Sequence, residues 1–347
     1  MAWISAYIIR PGEDKIMKLR KPHNGATVNL HTKVQQEFIE RIQANGIIAA
    51  QEWLRIFKKN QELSYPESVH FSWETEEEEV LLEISESPDF DNARKIRVKG
   101  TEWAEANLLI GHTYFWRVNG STPFCFETEG VCPRFVRVDG VLNVRDLGGG
   151  KIRQGLAYRG SELNGYFNIS EEGKKTFTEQ LRIKTQLDLR LEWFEKLDAS
   201  PAGETVRLVQ IPYRPYKEVF EERYRNAICE IMDLFADESN YPVYFHCVGG
   251  ADRTGMIAQF LRAIAGETEE TLHLDYELTS LSSYAFDFNS EGFRFRTAPY
   301  YVEFLNMLEA YAPGEPLEMR LLAFLEACGV TKACMAKIRA ILTAQER

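Results

Sequence analysis

At 347 residues, with 44% hydrophobic, 27% charged and 12% aromatic residues, the chain is long enough for two domains with sizeable cores and has a globular composition. Its formal net charge of −11 argues against broad binding to nucleic acid or to anionic membranes, so an anionic substrate must be captured by local positive charge. The six cysteines and six histidines show neither paired nor clustered ligand spacing, which predicts neither a metal site nor a metal cofactor. Cys125 and Cys132 are expected as free thiols. The N-terminus has a short apolar run without a basic leader, and no apolar stretch is long enough to cross a bilayer. A cytoplasmic chain is expected, with secretion as the alternative.

Residues 1–19 read as a lead-in. Ala26–Leu30 reads as a strand, and Thr32 as the cap of a helix through Val34, Phe38, Ile39 and Ile42, which Asn45-Gly46 should stop. Ile47–Phe57 fits either a helix or an extended continuation. From Val69 the pattern alternates: Val69–Trp73, Val80–Ser85, Lys95–Val98 and Tyr114–Val118 are predicted strands separated by turn residues, as in an all-β sandwich. The acidic run Glu76–Glu79 reads as a solvated turn. Phe71-Ser72-Trp73, Leu109–Tyr114 and Trp116-Arg117-Val118 resemble the tryptophan strand and tyrosine corner of a fibronectin type III domain. The resemblance covers residues 20–137, with the helical stretch as an insertion, and implies a module for a protein partner.

Beyond residue 137 the chain changes character. Val141–Gly150 ends in glycines, Ser170 caps a helix running to Leu181, and Thr185–Arg190 and Val206–Ile211 read as strands. Tyr216–Phe235 is a long helical pattern, followed by the apolar strand Val243-Tyr244-Phe245. Strands alternating with helices predict an α/β domain over residues 138–347, with a mostly parallel sheet flanked by helices. After Gly266 the pattern is helical in four segments, interrupted by the aromatic and basic stretch Ser282–Arg296, which fits either a lid or a packed connection.

The strand at Val243 ends in His246-Cys247, then Val248-Gly249-Gly250-Ala251-Asp252, then Arg253-Thr254-Gly255 and a helix. Such a strand, tight loop and helix aim backbone N–H groups and a positive helix end at one point. Cys247 sits where that field lowers a thiol pKa and makes a nucleophile, the N–H groups of Val248 to Arg253 form an oxyanion cradle, and Arg253 offers a planar fork to phosphate oxygens. Thr254 is placed to donate its hydroxyl to the Cys247 sulfur, and His246 to orient the loop. Residues 205–232 contain no aspartate, which leaves Asp252 as the candidate general acid or as a structural carboxylate.

Asn143–Gly149, Tyr158–Ser161, Asp188-Leu189-Arg190 and His246–Gly255 resemble, in order, the motifs of the bacterial protein-tyrosine phosphatase family, related to dual-specificity and lipid phosphatases. Asp275-Tyr276 and the chain's end fit it too. The resemblance covers about residues 138–345. It implies metal-free phosphate monoester hydrolysis, an acid in the cradle, and Arg159, Asp188 and Arg190 as further phosphate-binding candidates. Where the family's cradle usually carries lysine, this chain has Ala251. The missing charge favours phosphotyrosine over a phosphoinositide or inositol phosphate, unless Arg145, Arg159, Arg190, Arg214, Arg294 or Arg296 compensates. Arg145 and Asp146 also fit a structural ion pair. A scaffold that only binds phosphate is the non-enzymatic alternative.

Overall fold

In the segments Val69–Glu74 and Thr113–Val118 every second residue is buried, because extended backbone puts alternate side chains on one face. In the computed structural model, which describes residues 17–57, 61–191, 196–284 and 298–344, the stretch from Lys18 to Glu129 holds β1 (Lys18–Lys21), β2 (Ala26–Asn29), β3 (Val69–Glu74), β4 (Glu79–Ser85), β5 (Arg94–Lys99), β6 (Glu102–Glu105), β7 (Thr113–Val118) and β8 (Phe124–Glu129). One sheet has the order β1-β3-β6 and the other β2-β8-β7-β4-β5. β3 runs antiparallel to β1 and β6, and β7 antiparallel to β4 and β8. Phe71 of β3 meets Trp116 of β7 edge-on at 5.2 Å and Phe126 of β8 at 5.7 Å, so the two sheets share one core. The sequence reading lacks β1, β6 and β8. Of the expected lead-in, residues 1–16 lie outside the described residues, and Lys18 and Leu19 belong to β1.

The chain divides into two units. The strands make one, with the residues up to Val28, Ser68–Glu105 and Gly111–Glu129; the other comprises Asn29–Glu67, Ala106–Ile110 and the residues from Gly130 onward. The helical stretch therefore belongs to the second unit. Its helix α1 (Lys33–Phe57) opens with a reciprocal cap: Gln35 N donates to Thr32 Oγ1 and Thr32 N to Gln35 Oε1. The backbone leaves helical geometry at Gly46 (φ 78°) and resumes it, so the expected stop is a kink and Ile47–Phe57 is helical. Phe38, Ile39, Ile47 and Leu54 form a core with Phe135, Leu278 and Leu281.

The second unit is built on β9 (Arg145–Asp146), β10 (Ala157–Gly160), α2 (Glu171–Lys175), β11 (Thr185–Asp188), β12 (Arg207–Gln210), α3 (Glu222–Phe235), β13 (Val243–His246), α4 (Asp252–Ala265), α5 (Glu269–Glu277), α6 (Pro299–Leu308), α7 (Leu317–Cys328) and α8 (Lys332–Thr343). The sheet order is β12-β11-β13-β10-β9; β13 is parallel to β10 and β11, β11 is parallel to β12, and β9 alone runs antiparallel to its neighbour. Successive residues of β13 face opposite ways. Val243 and Phe245 join the core made with α3, α4, α7 and α8, while Tyr244 joins Val144, Tyr158 and Phe177 on the other side. With both faces covered, the central strands are buried throughout. Among the described residues no helix is long and apolar enough to cross a membrane. Cys125 and Cys132 are free thiols.

Candidate active site

β13 ends at His246, and the chain makes one tight loop before α4 begins at Asp252. Every carbonyl from Cys247 to Ala251 has a hydrogen-bond partner, and those of Val248, Gly249 and Gly250 are held by residues outside the loop. Cys247 O lies 3.0 Å from His246 Nδ1, Val248 O accepts from Glu162 N at 2.9 Å, Gly249 O from Asn143 Nδ2 at 3.0 Å, and Gly250 O from Arg159 Nη2 at 2.7 Å. Ala251 O accepts from Gly255 N at 2.8 Å in the first turn of α4. A planar trans peptide points its N–H opposite to its C=O, so the amides from Val248 to Asp252 turn inward together, at the N-terminus of α4. Two glycines make the curve possible. Gly250 has φ 67°, and a Cβ there would lie 2.3 Å from Gly160 O; a Cβ on Gly249 would lie 2.0 Å from the Tyr284 ring.

Cys247 is buried at the centre of this ring. Burial alone pushes its thiol up, but the Arg253 charge, the Thr254 hydroxyl and the N–H groups of Thr254 and Ala251 more than offset that and hold it below the ordinary thiol value. The Thr254 hydroxyl is fully buried in the first turn of α4, and it is one of the groups that lower the Cys247 thiol. The Arg253 guanidinium hydrogen bonds to Leu189 O at 3.3 Å, and Tyr213 OH donates to the Arg253 carbonyl. Burial also holds His246 below its usual pKa, against the opposing pull of Asp188. Its neighbours fix a neutral tautomer: Ser200 Oγ donates to Gln186 Oε1 at 2.6 Å, so the Gln186 amide turns its NH2 to His246 Nε2 at 2.8 Å, leaving Nδ1–H for Cys247 O. His246 thus orients the loop.

Arg159, Asp188 and Arg190, expected among the phosphate-binding residues, contact the loop and its neighbours. Arg159 is fully buried and divided between Asp275 and the carbonyls of Gly250 and Ala251. Arg190 directs its donors to Asp188, Glu162 and both the carbonyl and side-chain oxygens of Asn164. Burial would raise the Asp188 carboxyl, but its polar neighbours, the Arg190 guanidinium and backbone N–H among them, hold it down, to about 2. These side chains shape the loop from behind. Arg145 and Asp146 do not pair with each other either: Arg145 binds Asp275 at 3.1 Å and Asn143, whereas Asp146 binds Arg134 at 3.1 Å. Arg214 lies 3.8 Å from Glu218 on the surface, and Arg294 and Arg296 lie outside the described residues, as does most of the Ser282–Arg296 stretch.

Asp252 stands at the first position of α4, and its Oδ1 accepts a hydrogen bond from Tyr216 OH. Tyr284 closes over Gly249, with Phe167 edge-on to it at 5.9 Å and the exposed Tyr166 beside them. Sequence reasoning missed Asn143, Gln186, Tyr213, Tyr216 and Tyr284 as parts of the site. Asn143 and Tyr284 were the most legible of these, inside stretches already singled out; Gln186, Tyr213 and Tyr216 carry no local signal of their own. Among the described residues no group of three or more His, Cys, Asp or Glu is placed to hold a metal ion.

Residues 136–344 match the family model described as tyrosine phosphatase family. No curated protein sequence matches the chain. Among solved structures it is similar to the core catalytic domain of the PP-IP phosphatase SIW14 from S. cerevisiae, at 17% identity over 41% of this chain and 78% of that one, with a TM-score of 0.32. It is also similar to P. aeruginosa TpbA, at 18% identity over 52% and 89% of the two chains, again with a TM-score of 0.32. The family match, which spans the loop of inward amides and the lowered thiol at its centre, shows that the chain belongs to the tyrosine phosphatase family and is a cysteine-based phosphatase.

Proposed function

We propose that the second unit hydrolyses phosphotyrosine through a cysteinyl-phosphate. The observation that carries this reading is the ring of inward amides around a buried, acidified thiol. In the first step the Cys247 thiolate attacks phosphorus, the bond from phosphorus to the ester oxygen breaks, and Asp252 gives its proton to that oxygen. The amides of Val248 to Arg253 and the Arg253 guanidinium hold the phosphoryl oxygens as charge shifts among them. In the second step water attacks phosphorus and yields a proton to Asp252. The S–P bond breaks, and the Thr254 hydroxyl stabilises the departing thiolate.

Two features support a monoester carrying an aryl group. Arg145, Arg159 and Arg190 are committed to carboxylates and carbonyls, with Ala251 in place of a cradle lysine, so Arg253 is the cation left to the phosphate among these. Buried carboxylates of Glu162 and Asp188 lie just behind the loop and disfavour a polyanion. Tyr284 and Phe167 supply an aromatic wall for a phenyl ring. A substrate panel tests this: kcat/KM for phosphotyrosine peptides is expected to exceed that for inositol polyphosphates and phosphoinositides by about tenfold or more, which corresponds to one well-made contact. The reverse preference would replace phosphotyrosine with the inositol phosphate class.

The first unit is proposed as a fibronectin III-like module for a protein partner, on the strength of its strand orders β1-β3-β6 and β2-β8-β7-β4-β5 around Trp73, Tyr114 and Trp116. The catalytic domain is proposed to run over residues 138–347.

A further inference from the structure

Asp252 is reached by two tyrosines in series. Tyr216 OH donates to Asp252 Oδ1, and Tyr276 OH lies 2.7 Å from Tyr216 OH. The direction of the chain follows from the chemistry. A carboxylate only accepts, so the Tyr216 proton is committed to Asp252, and the Tyr276 proton is left for the Tyr216 oxygen. Tyr276 is fully buried, and burial holds its phenol well above the usual value, so it keeps that proton as a donor. Tyr276 is further fixed by stacking on Tyr301, with ring centroids 4.6 Å apart, while Gln259 Nε2 donates to Tyr301 OH at 2.7 Å. Tyr216 is held by Tyr300 at 4.7 Å and by the edge of Tyr301 at 6.4 Å. Its backbone sits at φ 60°, a conformation that costs a bulky residue free energy and persists where surrounding contacts impose it.

We propose that Tyr216 and Tyr276 are positioning residues for the general acid: the Tyr216 hydroxyl holds Asp252 Oδ1, backed by Tyr276, and so fixes the orientation of the carboxyl that protonates the leaving group. This rests on the reading of Asp252 as the acid. A donor on Oδ1 is compatible with both protonation states of the carboxyl, so the same contact serves the acid step and the base step that follows. Tyr216 lies in a short 3-10 turn (Tyr216–Phe220) between β12 and α3.

The test uses the full chain with the substitutions Tyr216→Phe, Tyr276→Phe, Asp252→Asn and the double variant Tyr216→Phe/Asp252→Asn. Each is assayed by the rate of phenol release in the first turnover, which reads the acid step alone, on aryl phosphates graded from a good leaving group, p-nitrophenyl phosphate, to a poor one, phenyl phosphate. Tyr216→Phe is expected to lower this rate on phenyl phosphate by roughly tenfold to a hundredfold, the value of one hydrogen bond to a charged group, with p-nitrophenyl phosphate cleaved nearly normally in that turnover. Tyr276→Phe shifts the rate the same way by roughly threefold, since it acts through Tyr216. In the Asp252→Asn background, Tyr216→Phe adds no further dependence on the leaving group. If Asp252→Asn slows all esters equally, the acid assignment fails and the relay with it. If Asp252→Asn is selective for poor leaving groups while Tyr216→Phe slows all esters equally or none, the relay alone is overturned. An unchanged circular dichroism spectrum and urea midpoint show that each variant is folded.

Discussion

Cys247→Ser lowers phosphate release from p-nitrophenyl phosphate by on the order of 10⁶, as removal of the nucleophile does in enzymes that work through a covalent intermediate. The substitution exchanges one atom. What it discards is the ionised state, because the Arg253 charge, the Thr254 hydroxyl and the amides of Thr254 and Ala251 lower a thiol into a useful range and leave a serine hydroxyl far above it. Binding should survive, since the inward amides are set by partners of the loop carbonyls that the substitution does not touch. The variant should therefore bind phosphotyrosine peptide about as tightly as wild type binds it at the level of KM, measured by calorimetry, while turnover disappears. Retained turnover would mean another nucleophile.

Asp275→Asn has the largest expected effect on stability, a loss of about 3–5 kcal/mol, the usual consequence of removing one partner of a buried ion pair. Asp275 is fully buried on α5 and serves three arginines: Arg145 Nε at 3.1 Å, Arg159 Nη1, and Arg262 Nε at 3.9 Å. Burial would raise its carboxyl, but Arg159, Arg145 and Arg262 hold it far below the usual carboxylate range. Two arms run from it to the cradle, one through Arg159 to Gly250 O and one through Arg145 and Asn143 to Gly249 O. The asparagine variant should therefore lose activity together with stability. The sign with pH follows from the depressed pKa. The stabilisation is fully present above the unfolded aspartate value, about 3.9, and is lost as pH falls towards the folded value. The gap between wild type and variant, read from the urea midpoint of inactivation, should narrow as pH drops below about 4. A midpoint unchanged at neutral pH would show that the arginines need no such partner.

The order of β13, loop and α4 was legible because an apolar strand, paired glycines and Arg-Thr-Gly each carry a local backbone requirement. The two-sheet β unit was legible from its period of two, although β1, β6 and β8 have too few apolar residues in alternation to stand out. Arg159 and Arg190 show what a sequence withholds. It records a guanidinium, but whether its donors meet a substrate or a loop carbonyl depends on Asp275, 116 positions from Arg159, and on Glu162, 28 from Arg190. Helix α1 was misleading for a similar reason. Its neighbours in the chain are strands of the β unit, while its core partners Leu278 and Leu281 come more than two hundred residues later. Tyr216 fits a helical pattern as an ordinary position and Tyr276 stood out only by resemblance; the fold alone brings Tyr216 OH to Asp252 and Tyr276 OH to Tyr216.

Acid quench of the enzyme during turnover of an aryl phosphate, followed by peptide mass spectrometry, tests the central claim most directly. The account predicts one phosphoryl group on the peptide containing Cys247, accumulating further in Asp252→Asn with an activated ester, where water attack lacks its base. A phosphoryl group on any other residue, or turnover with no phosphorylated peptide under conditions that preserve thiophosphate esters, would contradict it.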